Sequence, residues 1–173
     1  MTSLLTKAAL VTAALALTAC TNPDRFGAGG ADVAGAGAGQ QAAPLDPASD
    51  PRSPQYFSQT IGDRVLFQVD QSTLTAEAMA VLDAQAGWLQ TNADYLAVVE
   101  GHADEQGTRE YNVALGARRA NAVREYLISK GVAGTRLRTV SYGKERPIAI
   151  CSEESCYAQN RRAVTIISAG ALS

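Results

Sequence analysis

Residues 98–126 read VVEGHADEQGTREYNVALGARRANAVREY, and the fold is decided by how they are read. Tyr95 to Gly101 is a short apolar run, suited to a strand, with Leu96, Val98 and Glu100 on one face and Ala97 and Val99 on the other. The chain then turns through Gly101-His102-Ala103-Asp104-Glu105-Gln106-Gly107. Thr108 is a candidate N-cap. The helix that it opens is predicted to run to about Lys130, with Gly131 as its C′ residue.

This helix carries a charge where a bland amphipathic helix has none. At about 100° per residue, with Leu115 at zero, Ala122 falls at about −20°, Tyr126 at about 20°, Val123 at about 80° and Leu127 at about 120°. Arg119, at about 40°, lies inside that apolar stripe, and so does Asn112, at about 60°. Arg124 lies at about 180°, where a solvated charge belongs. A charge turned toward the core must be paired or bind something. Asp104 stands where strand gives way to helix, and ligand groups in α/β proteins collect at such carboxyl ends. A carboxylate and a planar guanidinium across a short gap suit a zwitterion, one taking its ammonium and the other its carboxylate. Two readings stay open on these residues: a ligand clamp, or an internal Asp104–Arg119 ion pair that only staples loop to helix.

Working outward, Asp63 to Asp70, DRVLFQVD, reads as the first strand. Thr75 is a candidate N-cap with Glu77 in the first turn. Met79, Leu82, Ala86 and Leu89 follow at helical spacing, widened by Val81 and Trp88, so Thr75 to Gln90 is predicted to be an amphipathic helix. Arg136 to Ser141 reads as a third strand, Cys151 to Tyr157 as a loop or short helix, and Ala163 to Ser168 as the last strand. The order βαβαβ(α)β predicts an α/β (α+β) sandwich, with helices packed on a small mixed sheet.

The N-terminal part has another character. Residues 1–19 read as a signal peptide: Lys7 supplies the positive charge, and Ala8 to Ala19 form an apolar run too short to span a bilayer. Leu17-Thr18-Ala19-Cys20 has the form of a bacterial lipobox, in which Cys20 becomes an acylated N-terminus; the alternative is an ordinary signal peptide with a chance cysteine. Several acyl chains would anchor the chain stably, at about 0.8 kcal/mol per buried CH₂. Thr21 follows Cys20. In lipoproteins of this kind an Asp at that place commonly retains the chain in the inner membrane, so an outer-membrane destination is expected. Residues 20–55 read as the lipidated cysteine and a flexible Gly/Ala/Pro-rich linker, spanning roughly 30 Å as a coil and roughly 100 Å when stretched. Residues 56–170 remain as the folded domain.

Charge and cysteines bound the function. The chain has 15 Lys+Arg against 17 Asp+Glu, a formal charge of −2. That is no nucleic-acid footprint and no polybasic membrane patch. Cys151 and Cys156 are the thiols left once Cys20 is acylated. In an exported chain they are expected to form a disulfide, worth about 2 kcal/mol for so small a loop. A metal site lacks ligands, since His102 is the single histidine.

The motifs together resemble the OmpA-like peptidoglycan-binding domains, and among them the peptidoglycan-associated lipoproteins of the Tol–Pal system. The residues that carry the resemblance are the lipobox at Cys20, V-L-F-Q-V-D ending at Asp70, V-E-G-H-A-D-E-Q-G-T-R-E-Y-N ending at Asn112, and L-G-A-R-R-A-N-A-V at Leu115 to Val123. V-S-Y-G-K-E-R-P at Val140 to Pro147 and Y-A-Q-N-R-R-A-V at Tyr157 to Val164 complete it. The resemblance implies non-covalent binding of the diaminopimelate residue of the peptidoglycan stem peptide. It implies that Asp104 meets the ligand ammonium and Arg119 its carboxylate, with Val69, Asp70 and Asn112 lining the groove. It further implies a periplasmic partner, TolB, at an overlapping site. Gly116 stands where many relatives have Ser, which implies a missing helix side-chain contact.

No cofactor is expected, nor catalysis. Glu100 and Asp104 could be imagined as a glycosidase pair, but no Ser-His-Asp or metal-ligand spacing supports hydrolysis. The competing function is a structural envelope lipoprotein in which Asp104 and Arg119 pair internally.

Overall fold

A computed structural model describes residues 46–170; the stretch read as a signal peptide, the expected lipidation site Cys20 and most of the stretch read as linker lie outside the described residues. Helix α1 (Pro54–Tyr56) continues as a π-helical turn over Phe57–Gly62 and leads into strand β1 (Arg64–Leu66). Then come α2 (Ala76–Thr91), β2 (Tyr95–His102), α3 (Arg109–Ser129), a 3₁₀ turn (Gly134–Arg136), β3 (Leu137–Gly143), α4 (Glu154–Asn160) and β4 (Arg162–Ala169). The four strands form one mixed sheet in the order β1-β4-β2-β3, with β2 and β3 parallel and β4 antiparallel to both of its neighbours. This is the α+β architecture expected.

The helix ends follow local chemistry. Thr75 Oγ1 accepts from the Ala78 amide at 3.2 Å, and Thr108 Oγ1 accepts from the Tyr111 amide at 3.2 Å. Helix α3 stops where Gly131 takes a φ of +99°, and the Val132 amide returns to the Leu127 carbonyl at 3.1 Å. The core lies between the sheet and the α2/α3 face and includes Phe57, Val65, Leu82, Trp88, Leu89, Val99, Val123 and Leu127. Met79, expected on the buried stripe of α2, is exposed instead. Gln85 takes an inward place, joining Thr165 of β4 at 2.9 Å to the Gly62 carbonyl at 2.7 Å. Two well-placed hydrogen bonds are what make a buried amide acceptable there.

The first strand is shorter than its apolar run. After Leu66 the chain makes one more sheet-like bond, Phe67 amide to Arg161 carbonyl at 2.8 Å, then turns, with the Gln71 amide on the Gln68 carbonyl at 3.1 Å. Asp70 sits in that turn at φ +56°, a left-handed conformation that costs a non-glycine residue energy. At the other end, the fold reaches back into the stretch read as linker: Trp88 Nε1 donates to the Pro51 carbonyl at 2.7 Å, and Ser53 caps α1.

Candidate binding site

Four segments converge at the carboxyl end of β2: the turn after β1, the loop from Ala103 to Thr108, the first turns of α3, and α4. They enclose a cavity of about 340 Å³. Its wall includes Val69 and Asp70 from the first segment, Asp104 and Gln106 from the second, Tyr111, Asn112 and Leu115 from α3, and Glu154, Tyr157 and Arg161 from α4 and its end.

Asp104 is buried, at 8 % exposure, and forms an ion pair with an arginine; that arginine is Arg161, with Nη1 to Oδ2 at 3.1 Å. The second face of the same guanidinium is forked by Glu154. Its Nε donates to the Phe67 carbonyl at 3.3 Å. Burial works against the Arg161 charge, but Glu154 and Asp104 overcome it and raise the pKa. Asp70 accepts from the Tyr111 hydroxyl, and that bond pushes the Tyr111 pKa up. Asn112, almost fully buried, donates to the Gln106 carbonyl at 2.7 Å and so shapes the acidic loop.

Arg119 is buried as the wheel implies, at 0 % exposure, but it does not line the cavity. Its Nε donates to the Gln71 carbonyl (2.8 Å), Nη1 to the His102 carbonyl (2.8 Å) and Nη2 to the Gln68 carbonyl (3.1 Å). Its guanidinium lies 5.2 Å from the Phe67 ring centroid. Burial pulls its pKa down to about 10; the charges of Asp104 and Asp70 oppose that, and Arg161 adds to it. The geometry therefore differs from both sequence readings of this pair. Arg119 neither faces an open gap nor contacts Asp104; it stitches the turn after β1 to the end of β2, one layer behind the cavity.

His102, at the end of β2, is also buried, and neither ring nitrogen has a hydrogen-bond partner. Nε2 lies 3.7 Å from Glu100, and the ring sits 5.7 Å from that of Tyr142. Burial, with help from Arg162 and Arg146, depresses its pKa to about 4.

Residues 66–161 match the model of the OmpA family. The chain is 54 % identical over 136 residues to the peptidoglycan-associated lipoprotein of Rhizobium meliloti, covering 79 % of this chain and 74 % of the relative. Against that of Mesorhizobium japonicum it is 59 % identical over 121 residues, 70 % of this chain and 72 % of the relative. The chain belongs to the peptidoglycan-associated lipoproteins, within the OmpA family. The fold agrees: the crystal structure of the peptidoglycan-associated lipoprotein from Burkholderia pseudomallei superposes with a TM-score of 0.63 at 37 % identity, covering 71 % of this chain and all of that one. The C-terminal domain of Helicobacter pylori MotB does so with a TM-score of 0.59 at 25 % identity, over 63 % of this chain and 86 % of that one.

In this peptidoglycan-associated lipoprotein, then, the structure brings Val69, Asp70, Asp104 and Asn112 to one cavity and leaves Arg119 behind it. Sequence reasoning missed Arg161, Glu154, Tyr157 and Tyr111 as parts of the wall. Only the doubled arginine after Asn160 hinted at the first of these. No helical or strand period marks it, because it sits at the junction of α4 and β4. Cys151 and Cys156 are bonded, with Cα atoms 5.9 Å apart, and their loop runs into α4. The bridge is distant from the acidic loop in sequence but encloses Glu154, which lines the cavity. Among the described residues no cluster of His, Cys, Asp or Glu could hold a metal, and no helix is long and apolar enough to cross a membrane.

Proposed function

We propose that this lipoprotein holds peptidoglycan non-covalently at this cavity, through the diaminopimelate residue of the stem peptide. The observation that carries the reading is a buried acid–base pair, Asp104–Arg161, on the wall of an open cavity that also presents Asp70. A zwitterion finds carboxylates for its ammonium and a guanidinium for its carboxylate within one site. Asp104 and Asp70 meet the ammonium. The resemblance assigns the carboxylate to Arg119. In the geometry observed, Arg119 is fully buried, with three of its five N–H groups on carbonyls, so direct contact requires residues 68–71 to lift. Arg161 needs only one exposed side chain to move. We assign first contact to Arg161 and the shaping of the site to Arg119.

The wider setting belongs to the same proposal. Cys20 carries the lipid anchor in the outer membrane, residues 20–55 form the tether, and the domain from residue 56 faces the periplasm. There it serves the Tol–Pal system, with TolB as partner, in envelope integrity and cell division. Support comes from the lipobox, the absence of Asp at position 21 and the lipoprotein relatives.

The test is sedimentation with purified sacculi. Asp104→Asn and Arg161→Lys are expected to lose roughly ten- to a hundredfold in binding, as for loss of one charge-assisted contact, with thermal melts run alongside. Binding equal to the parent in both folded variants would instead favour an envelope module whose ion pairs are structural, a reading that Arg119's internal satisfaction also suits. Cys20→Ser is expected to abolish acyl labelling and membrane fractionation.

A further inference from the structure

Three successive carbonyls of the acidic loop are each held by a side-chain nitrogen from elsewhere in the fold. Asn112, buried in α3, holds that of Gln106 with Nδ2 at 2.7 Å. Lys144, in the turn after β3, holds that of Gly107 with Nζ at 2.9 Å and that of Glu105 at 3.4 Å. Lys144 is half-buried, whereas Glu105, Gln106 and Gly107 are exposed. An exposed loop with a glycine at φ +90° has little packing of its own to fix it. Its shape depends on these outside donors.

The turn that carries Lys144 is itself well fixed. The Gly143 carbonyl accepts from the Ala103 amide at 2.8 Å, one residue before Asp104. Gly143 takes a φ of +51°, and a Cβ there would come within 2.8 Å of the Val113 amide nitrogen, so the turn is pressed against the start of α3. Glu145 also reaches Arg109 at 3.1 Å, but both are exposed and the pair adds little. Lys144 thus reaches the loop from a rigid base. Asp104 in turn leans on the loop: its Oδ1 accepts from the Gln106 amide at 3.3 Å, while Oδ2 faces Arg161.

We infer that Lys144 is a positioning residue for ligand binding: it sets the acidic loop so that Asp104 presents its carboxylate to an ammonium group. Lys144 does not line the cavity. Its effect passes through one peptide plane. The Glu105 oxygen and the Gln106 N–H belong to the same peptide unit, and in a planar trans unit they point in opposite directions. Holding the oxygen on Lys144 therefore aims the N–H at Asp104 Oδ1. Released from Lys144, the loop takes other conformations, and affinity falls with the fraction that stays competent. The inference rests on the cavity being the stem-peptide site, with Asp104 as its ammonium ligand.

The experiment is a double-mutant cycle on the full chain in detergent, read by calorimetry with the tripeptide L-Ala-γ-D-Glu-meso-diaminopimelate as probe. Lys144→Met keeps an aliphatic stem and removes the donors. It is expected to weaken binding by roughly three- to tenfold and to leave the urea midpoint unchanged. In an Asp104→Asn background the same substitution is expected to change binding by less than about twofold, because the carboxylate that it positions is gone. Parental affinity in Lys144→Met overturns the inference and leaves the cavity reading standing. A full loss repeated on top of Asp104→Asn overturns it too, by placing Lys144 in contact with the ligand itself. A loss that comes with a lower urea midpoint also overturns it, since Lys144 is then a general brace. If the parent chain does not bind the probe, the inference and the cavity reading fall together.

Discussion

Nη1 of Arg119 donates to the His102 carbonyl at 2.8 Å, from the middle of α3 to the last residue of β2. The same guanidinium ties down Gln68 and Gln71, on either side of Val69 and Asp70. Three segments of the cavity rim thus share one buried cation. A lysine has no planar fork with which to reach three separated carbonyls. Arg119→Lys is expected to lose about 2–4 kcal/mol in urea unfolding, since buried carbonyls lose their partners. Sacculus binding should fall in parallel. A variant of parental stability that still loses binding would move Arg119 into direct ligand contact.

The second expectation concerns acid. His102 is neutral in the fold, with its pKa pushed from 6.5 to about 4 by burial and by Arg162 and Arg146, while Glu100 and Tyr142 also face the ring. The unfolded chain takes up a proton near pH 6.5 that the folded chain refuses until about 4. Stability is therefore full above the unfolded value and falls as pH drops through this window, by about 3 kcal/mol at most. His102→Phe keeps the ring and removes the titration. Its urea midpoint is expected to change less between pH 7 and pH 4.5 than that of the parent chain; equal slopes would refute the assignment.

The third expectation concerns a close approach of α3 to the sheet, at Gly101 and Gly116. A Cβ on Gly101 would come within 2.6 Å of the Gly116 carbonyl carbon, and a Cβ on Gly116 within 2.8 Å of the Gly101 oxygen. Gly116 is thus a packing requirement here rather than a missing contact. Gly101→Ala is expected to cost about 3 kcal/mol or more, because main chain cannot yield as a side chain does. Chemical denaturation decides the point: a loss under 1 kcal/mol would mean that helix and sheet can separate cheaply.

The bridge between Cys151 and Cys156 yields a fourth. Replacing both by Ser is expected to cost about 2 kcal/mol for so short a loop. Since α4 carries Glu154 and Tyr157, amide exchange from 151–157 should also quicken, while α2 keeps its protection in native conditions. Uniform quickening across the domain would mean that the bridge braces the whole fold instead.

Local signals made much of this protein legible from its residues alone. The caps at Thr75 and Thr108, the stop at Gly131, the alternation along Tyr95–Gly101 and the inward turn of Asn112 and Arg119 all act within a few positions in the chain, so spacing reveals them. The partners of the inward groups are another matter. Asp104 and Arg161 lie 57 positions apart. They meet because β4 inserts between β1 and β2, carrying the end of α4 to the acidic loop. Arg119 could be known as buried from its angle on a wheel. Only the packing of the turn after β1 decided that its donors go to three main-chain carbonyls and that Arg161 holds the carboxylate. A helical period reports which side faces inward; what waits there depends on strand order, which no local pattern encodes.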